Sequence, residues 1–417
     1  MSHRHPTPTS DLQGAVRLAT DATAGITDLV EAVHERVARL PGWPSPPQPG
    51  RTRGITGLVY RSVRGVTQLV GGSADALLGL VRLPSSPRTA HAPSARREAL
   101  VAAVNGVLGD HLAVSGNPLA ITMGVRQDGR LLSLDRAALA QAVPQASGHV
   151  LLCIHGLCMN DLQWSHDGHN HGAALAQSLG CSTLYLHYNS GQPVARNGRE
   201  LASHLEALCT AWPVPVRRLT LLGHSMGGLL ARSAVFHAQR AGQRWPAVLQ
   251  DMVFLGTPHH GAPLERAGHG VDVLLGALPY AAPFARLGKV RSAGITDLRH
   301  GDLRDTRRKA QRATRAAPVP LPDGVNCYAV ASTLGDTVGA LSGRVLGDGL
   351  VPLDSALGRH PDTTRALNFP LAHQWVGVGI GHLALLSDAR VYAQLQTWLD
   401  EGGRGRAASE SSLLSSP

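Results

Sequence analysis

Five residues, Gly223-His224-Ser225-Met226-Gly227, constrain this chain more than any others because of what flanks them. Arg-Leu-Thr-Leu-Leu at 218–222 reads as a buried strand, and Gly-Leu-Leu-Ala-Arg-Ser-Ala-Val-Phe at 228–236 reads as a helix. A tight turn between them raises one serine above the end of a sheet. There a base can reach its hydroxyl and backbone N–H groups can hold an oxyanion. The glycines fit the same geometry, since a side chain at 223 or 227 collides where strand and helix pack closest.

The rest of the chain supports a layered α/β architecture. From 118 to 400, strands and helices alternate. A hairpin is expected at Leu119–Arg126 and Arg130–Leu134 around Asp128-Gly129. Strands are expected at His149–Ile154, Thr183–Tyr188, Met252–Leu255, Cys327–Ser332 and Gln374–Val378. Helices are expected at Gly172–Leu179, Gly198–Thr210 and Asp388–Leu399. This alternation means a mainly parallel sheet with helices on both faces. Residues 262–323 break the rhythm and form an insert where a cap over a substrate site belongs.

Residues 11–117 form a separate helical region. Leu12, Val16, Ala19, Ile26, Val30, Val33, Val37 and Leu40 lie on one helical stripe, and Val59, Val63, Val66, Val70, Ala74, Leu77 and Val81 on another. A proline-rich linker, 41–53, separates them, and a third helix is expected over Ala95–Leu112. Such stripes suit packing against other helices, and they also suit peripheral contact with a membrane or lipid granule. No aromatic anchors mark an interfacial face. Residues 1–10 and the Gly/Ser/Arg-rich tail 401–417 are expected to be disordered.

Charge and cysteine usage narrow the setting. The net charge of +10 is concentrated between Arg286 and Arg315, where ten Lys or Arg residues face three aspartates. With 4% aromatic residues and no zinc or RNA-module motif, a nucleic-acid partner is not expected. The five cysteines suit reduced, buried thiols. The first residues carry no apolar targeting core, and no apolar run reaches membrane-spanning length, so the cytoplasm is the expected compartment.

A serine nucleophile needs a base, and the base needs an acid that fixes its tautomer. In a parallel sheet these groups must share the carboxyl edge, in loops that follow strands. His382, after the last strand in Val-Gly-Val-Gly-Ile-Gly-His, meets that requirement. His373 precedes the strand and belongs at the opposite edge. For the acid, Asp348 in Gly-Asp-Gly-Leu-Val-Pro leads, with Asp336 and Asp354 as alternatives. The oxyanion donors are expected at the Met226 N–H, which opens the helix after the serine, and at the Leu157 N–H. Gly156 permits the close approach of that second loop, and His155 supports it. His166, His169 and His171 cluster like metal ligands but lack a second group at convincing spacing, so hydrogen-bonding posts are expected there. His259 and His260 follow another strand at the same edge and are expected to shape the cleft wall. Neither a cofactor nor a metal is called for.

Taken as a set, Ile154-His155-Gly156-Leu157, Gly223–Gly228, Leu255–Gly261, Asp348–Pro352 and Gly381-His382 resemble the α/β-hydrolase superfamily. Within it they are similar to bacterial lipase/esterases related to GPI inositol-deacylases. The resemblance covers about 149–400 and leaves 1–117 outside. It implies an α/β-hydrolase fold and hydrolysis of a carboxylic ester, a lipid or another acyl ester, through an acyl-enzyme on Ser225. The same triad also serves acyltransferases that remodel lipids. A third reading makes the amino-terminal helices the working part of a lipid- or granule-surface binding protein. The chain departs from secreted lipases in lacking an export signal, a disulfide pair and a calcium site.

Overall fold

The computed structural model describes residues 8–37, 61–63, 65–67, 94–261, 292–300, 303, 319–335 and 347–400. The linker 41–53, most of the second stripe, most of the insert 262–323 with its basic run, Asp336 and the tail 401–417 lie outside the described residues. The chain divides into two compact units, Met1–Ala90 with Leu112–Ala120, and His91–His111 with Ile121–Pro417.

In the first unit, helix α1 runs from Pro8 to Val37 and so takes in Pro8, Thr9 and Ser10, which were expected to be disordered. Proline suits a first helical turn, where its missing N–H has no intrahelical partner to lose, and Asp11 in the same turn faces the positive end of the helix dipole. The Asn117 side chain closes this unit, donating to the Gly14 carbonyl at 3.0 Å and accepting from the Leu119 N–H at 2.9 Å.

In the second unit an eight-stranded sheet has the order β2-β1-β4-β3-β5-β6-β7-β8. Its strands are β1 (Gly124–Gln127), β2 (Arg130–Leu131), β3 (His149–Ile154), β4 (Ser182–His187), β5 (Arg218–His224), β6 (Leu249–Leu255), β7 (Asn326–Thr333) and β8 (Gln374–Val378). From β3 to β8 every pairing is parallel, while β1 runs antiparallel to both β4 and β2. The hairpin joining β1 and β2 turns through Asp128 and Gly129, with φ of 48° and 73°. Positive φ at both positions matches the right-handed strand twist, which explains the Asp-Gly pair. The central strands are buried along almost their whole length because both faces are covered; in β3 every residue after His149 is buried.

The connecting helices are α2 (Ala95–Val114), α3 (Arg136–Ala142), α4 (His171–Leu179), α5 (Val194–Ala211), α6 (Met226–Arg240), α7 (Ala293–His300) and a last one, α8, over 389–400. Going from β3 to β4 the chain steps one way across the sheet; from β4 to β5 and from β5 to β6 it steps the other way. Right-handed crossovers then put α4 on one face and α5 and α6 together on the other. The reversal makes the carboxyl edge between β3 and β5 a switch point, where open parallel sheets form a crevice.

Most of the helix expected within the amino-terminal region, residues 95–111 of α2, falls in the second unit. Small buried residues on one face, Ala99, Ala102, Ala103 and Val107, allow its close approach. Polar groups fix its position: Asn189 donates to the Gly109 carbonyl at 2.9 Å and the Ser292 hydroxyl to the Gly106 carbonyl at 2.6 Å. The five cysteines are free thiols. Among the described residues, no helix is long and apolar enough to cross a membrane.

Candidate active site

Ser225 stands between the last residue of β5 and the first of α6, with φ 54° and ψ −123°. A non-glycine residue rarely adopts this conformation, and holding it costs on the order of 1–3 kcal/mol. The surrounding backbone leaves no alternative. Ser225 N–H donates to the Leu255 carbonyl at 2.8 Å, and a Cβ at Gly223 would sit 2.5 Å from the Gly228 nitrogen. One at Gly227 would strike the Ile154 carbonyl of the neighbouring strand. The two glycines are therefore the condition for α6 to start where it does.

His382 and Asp348 lie together. The His382 Nδ1–H donates to Asp348 Oδ2 at 2.7 Å, with both residues buried. The other carboxylate oxygen accepts from the N–H groups of Leu350 and Val351 at 3.0 and 2.8 Å, and the His382 N–H donates to the Asp348 carbonyl at 3.1 Å. Asp348 is thus held in place from its own loop while its free oxygen fixes the imidazole. Of the alternatives, Asp354 lies beside Arg359 at 3.8 Å, and Asp336 is outside the described residues. His373 packs its ring against Tyr328 near the start of β7, the opposite edge of the sheet.

Gly156, Leu157, Met159, His224, Ser225, His382 and Leu383 line one crevice at the carboxyl edge. A Cβ on Gly156 would lie 3.1 Å from that of Ser225, so the loop after β3 runs directly over the serine. Met226 is the first residue of α6, where N–H groups have no intrahelical acceptor. The Nε2 atom of His382 is buried and makes no hydrogen bond. Ser225 and His382 therefore share the crevice without a bond between them, a common state of such pairs before substrate binds.

The expected supporting residue His155 is fully buried beneath this loop. Its Nδ1–H donates to the Gly156 carbonyl at 2.8 Å, its ring stacks on Tyr188, and the Tyr188 hydroxyl donates to its carbonyl at 2.9 Å. Burial lowers its pKa to about 3, so the ring is neutral at ordinary pH. Nearby, Asp161 accepts from Arg126 at 3.0 Å, and Arg126 also donates to Glu98 of α2 at 2.9 Å.

Several groups at the site carried no distinctive signal in the sequence. His224, inside the pentapeptide, donates Nε2–H to the His382 carbonyl at 3.1 Å, and burial holds its pKa well below the usual imidazole range. Gly256, with φ 56°, forms the floor under the Asp348–His382 pair. A Cβ there would lie 3.0 Å from Asp348 Oδ2 and 3.1 Å from His382 Nδ1. Only a glycine after a strand hinted at this role, and many glycines share that context.

Of the three histidines in 166–171, two form hydrogen bonds through their rings: His171 donates Nε2–H to the Leu385 carbonyl at 3.0 Å and joins His169 at 2.8 Å. Among the described residues, no group of three or more His, Cys, Asp or Glu side chains is placed to hold a metal ion. His259 is buried, with its ring against Phe254 and Phe369 and its Nδ1 accepting from Arg232 at 3.3 Å. His260 donates to the Gly358 carbonyl at 2.9 Å. Both knit loops at this edge together, and neither lines the crevice at Ser225.

The family described as a PGAP1-like alpha/beta domain matches residues 145–301. No curated protein matches the chain. Among solved structures, the chain is similar to the mature lipase BlEst2 of Bacillus licheniformis, with 19% identity over 60% of this chain and 91% of that one and a TM-score of 0.40. It is similar to lipase B of Aspergillus fumigatus, with 12% identity over 66% and 55% and a TM-score of 0.37. It is also similar to the esterase Pf2001 of Pyrococcus furiosus, with 12% identity over 62% and 81% and a TM-score of 0.36. A serine turn between β5 and α6 and a parallel sheet from β3 to β8 give this chain an α/β-hydrolase fold, and over residues 145–301 it is similar to the PGAP1-like alpha/beta domain family.

Proposed function

We propose that the protein is a serine hydrolase of carboxylic esters, with Ser225 as nucleophile, His382 as base and Asp348 as the acid that orients it. The observation that carries this reading is the buried 2.7 Å bond from His382 to Asp348, which leaves Nε2 of the same ring free in the crevice that Ser225 lines. A neutral imidazole with Nδ1–H committed to a carboxylate presents a bare Nε2 lone pair. That is the tautomer a general base requires.

In the reaction, Ser225 Oγ attacks the ester carbonyl as its proton passes to His382 Nε2, and Asp348 stabilises the resulting imidazolium. The N–H groups of Leu157 and Met226 hold the oxyanion, with His155 and Gly156 supporting the first of these loops. The tetrahedral intermediate expels the alcohol, which takes the proton from Nε2, and leaves an acyl group on Ser225. Water then attacks with the same proton relay, releasing the carboxylate and restoring the serine. Leu157, Met159 and Leu383 make the crevice wall apolar, which suits the acyl portion of a lipid or other acyl ester.

A p-nitrophenyl ester series of increasing chain length tests the assignment. Ser225→Ala is expected to lower turnover by on the order of a thousandfold or more. Ester turnover that survives this substitution unchanged would remove Ser225 from the mechanism.

A further inference from the structure

We infer that His171, locked by His169, is a positioning residue for the triad, acting through the turn that follows His382. This inference rests on the assignment of His382 as the base. His171 is the first residue of α4, fully buried, and its Nε2 lies 3.0 Å from the Leu385 carbonyl, 214 residues further along the chain. A carbonyl only accepts, so the proton is on Nε2. Burial lowers the His171 pKa to about 4, which keeps the ring neutral. Its Nδ1 is therefore a lone pair, and at 2.8 Å it accepts the Nε2–H of His169. The two rings form a one-way relay ending on Leu385, and His169 fixes the tautomer that His171 needs.

The position of Leu385 bears directly on the triad. Its N–H donates to the Gly381 carbonyl at 3.3 Å, closing the turn that contains His382. Its side chain is fully buried against Gly256: the same point beside Gly256 lies 2.8 Å from Leu385 Cδ1, 3.0 Å from Asp348 Oδ2 and 3.1 Å from His382 Nδ1. Leu385, the carboxylate and the imidazole thus surround one glycine, and a shift of the Leu385 backbone moves the wall against which the Asp348–His382 pair rests. Tyr392 of α8 backs the relay, with its ring 5.4 Å from that of His169 and 6.1 Å from that of His171.

The amide nitrogen of glutamine reaches about where imidazole Nε2 does, whereas that of asparagine stops near Nδ1. His171→Gln therefore keeps the bond to Leu385 and His171→Asn loses it. For His171→Asn, kcat on a p-nitrophenyl ester is expected to fall on the order of ten- to a hundredfold with KM little changed, because misplaced reacting groups lower the rate more than the affinity. His171→Gln is expected to recover most of that loss.

The low-field proton resonance of the His382–Asp348 bond gives a readout independent of turnover. It should be retained in the wild type and in His171→Gln, and be broadened or shifted in His171→Asn. His169→Ala, at a part-buried position that tolerates truncation, should lower kcat by a smaller factor, about threefold, even if His171→Asn fails to fold. Wild-type turnover in His171→Asn, a loss in His171→Gln equal to that in His171→Asn, or full activity in His169→Ala would each overturn the inference. A wild type that carries the resonance yet hydrolyses no ester would instead count against the proposed function.

Discussion

Replacing Gly256 by alanine probes the packing under the Asp348–His382 pair. Two costs add. Gly256 has φ 56°, a conformation that costs an L-residue about 1–2 kcal/mol. The new methyl would also lie 2.8 Å from Leu385 Cδ1, 3.0 Å from Asp348 Oδ2 and 3.1 Å from His382 Nδ1. All three neighbours are held in place, and overpacking of this kind costs about 1–3 kcal/mol. The expected destabilisation is the sum, about 2–5 kcal/mol. Relief can come only from moving the Asp–His pair or Leu385, so kcat should fall on the order of a hundredfold.

Gly242→Ala separates the two terms. Gly242 has φ 64° with no heavy atom within 4 Å of its added Cβ, so it should carry only the conformational cost and leave turnover unchanged. Urea unfolding followed by circular dichroism, with kcat on a p-nitrophenyl ester, reads both variants. If Gly256→Ala matches Gly242→Ala in stability and in kcat, the tight floor under the pair does not exist.

Two further outcomes follow from the buried polar groups. Asp348→Asn keeps the shape of the site but offers an amide to His382 Nδ1, favouring the wrong tautomer, and kcat should drop by on the order of ten-thousandfold at neutral pH; a loss under tenfold would remove Asp348 from its role. Acid stability should track the buried imidazoles: burial lowers His149 and His155 to about 3 and His171 to about 4, against about 6.5 when unfolded. Between those values the unfolded chain binds protons that the folded one refuses. Their stabilising contribution is thus complete above about pH 6.5 and is lost as the pH falls, by up to about 1.4 kcal/mol per histidine per pH unit. Equal urea midpoints at pH 7.5 and pH 5 would contradict this.

The fold was legible where local chemistry is decisive. The glycines around Ser225 admit only a strand-to-helix turn, and Asp128-Gly129 admits only a tight hairpin. The meeting of His382 with Asp348 was legible because loops that follow parallel strands share one edge of the sheet, which set His373 apart. What stayed hidden depends on partners remote in sequence. The periodicity of 95–112 announces a helix, but small residues such as Ala102 and Ala103 do not say what they pack against. The partner proved to be the sheet unit, through groups such as Asn189, 80 residues beyond Gly109. The acceptors of His171 and His224 were hidden in the same way, since each is a carbonyl in the His382 turn, 214 and 158 residues away.

The most direct test of the account is covalent. Treatment with a p-nitrophenyl alkylphosphonate, followed by intact-mass and peptide mapping, traps the residue that attacks an acyl-like centre. One phosphonyl group on Ser225 is predicted, with abolished ester turnover and much slower labelling in Asp348→Asn. A protein that hydrolyses esters yet carries the label elsewhere, or retains full turnover with Ser225 labelled, would contradict the assignment of this site.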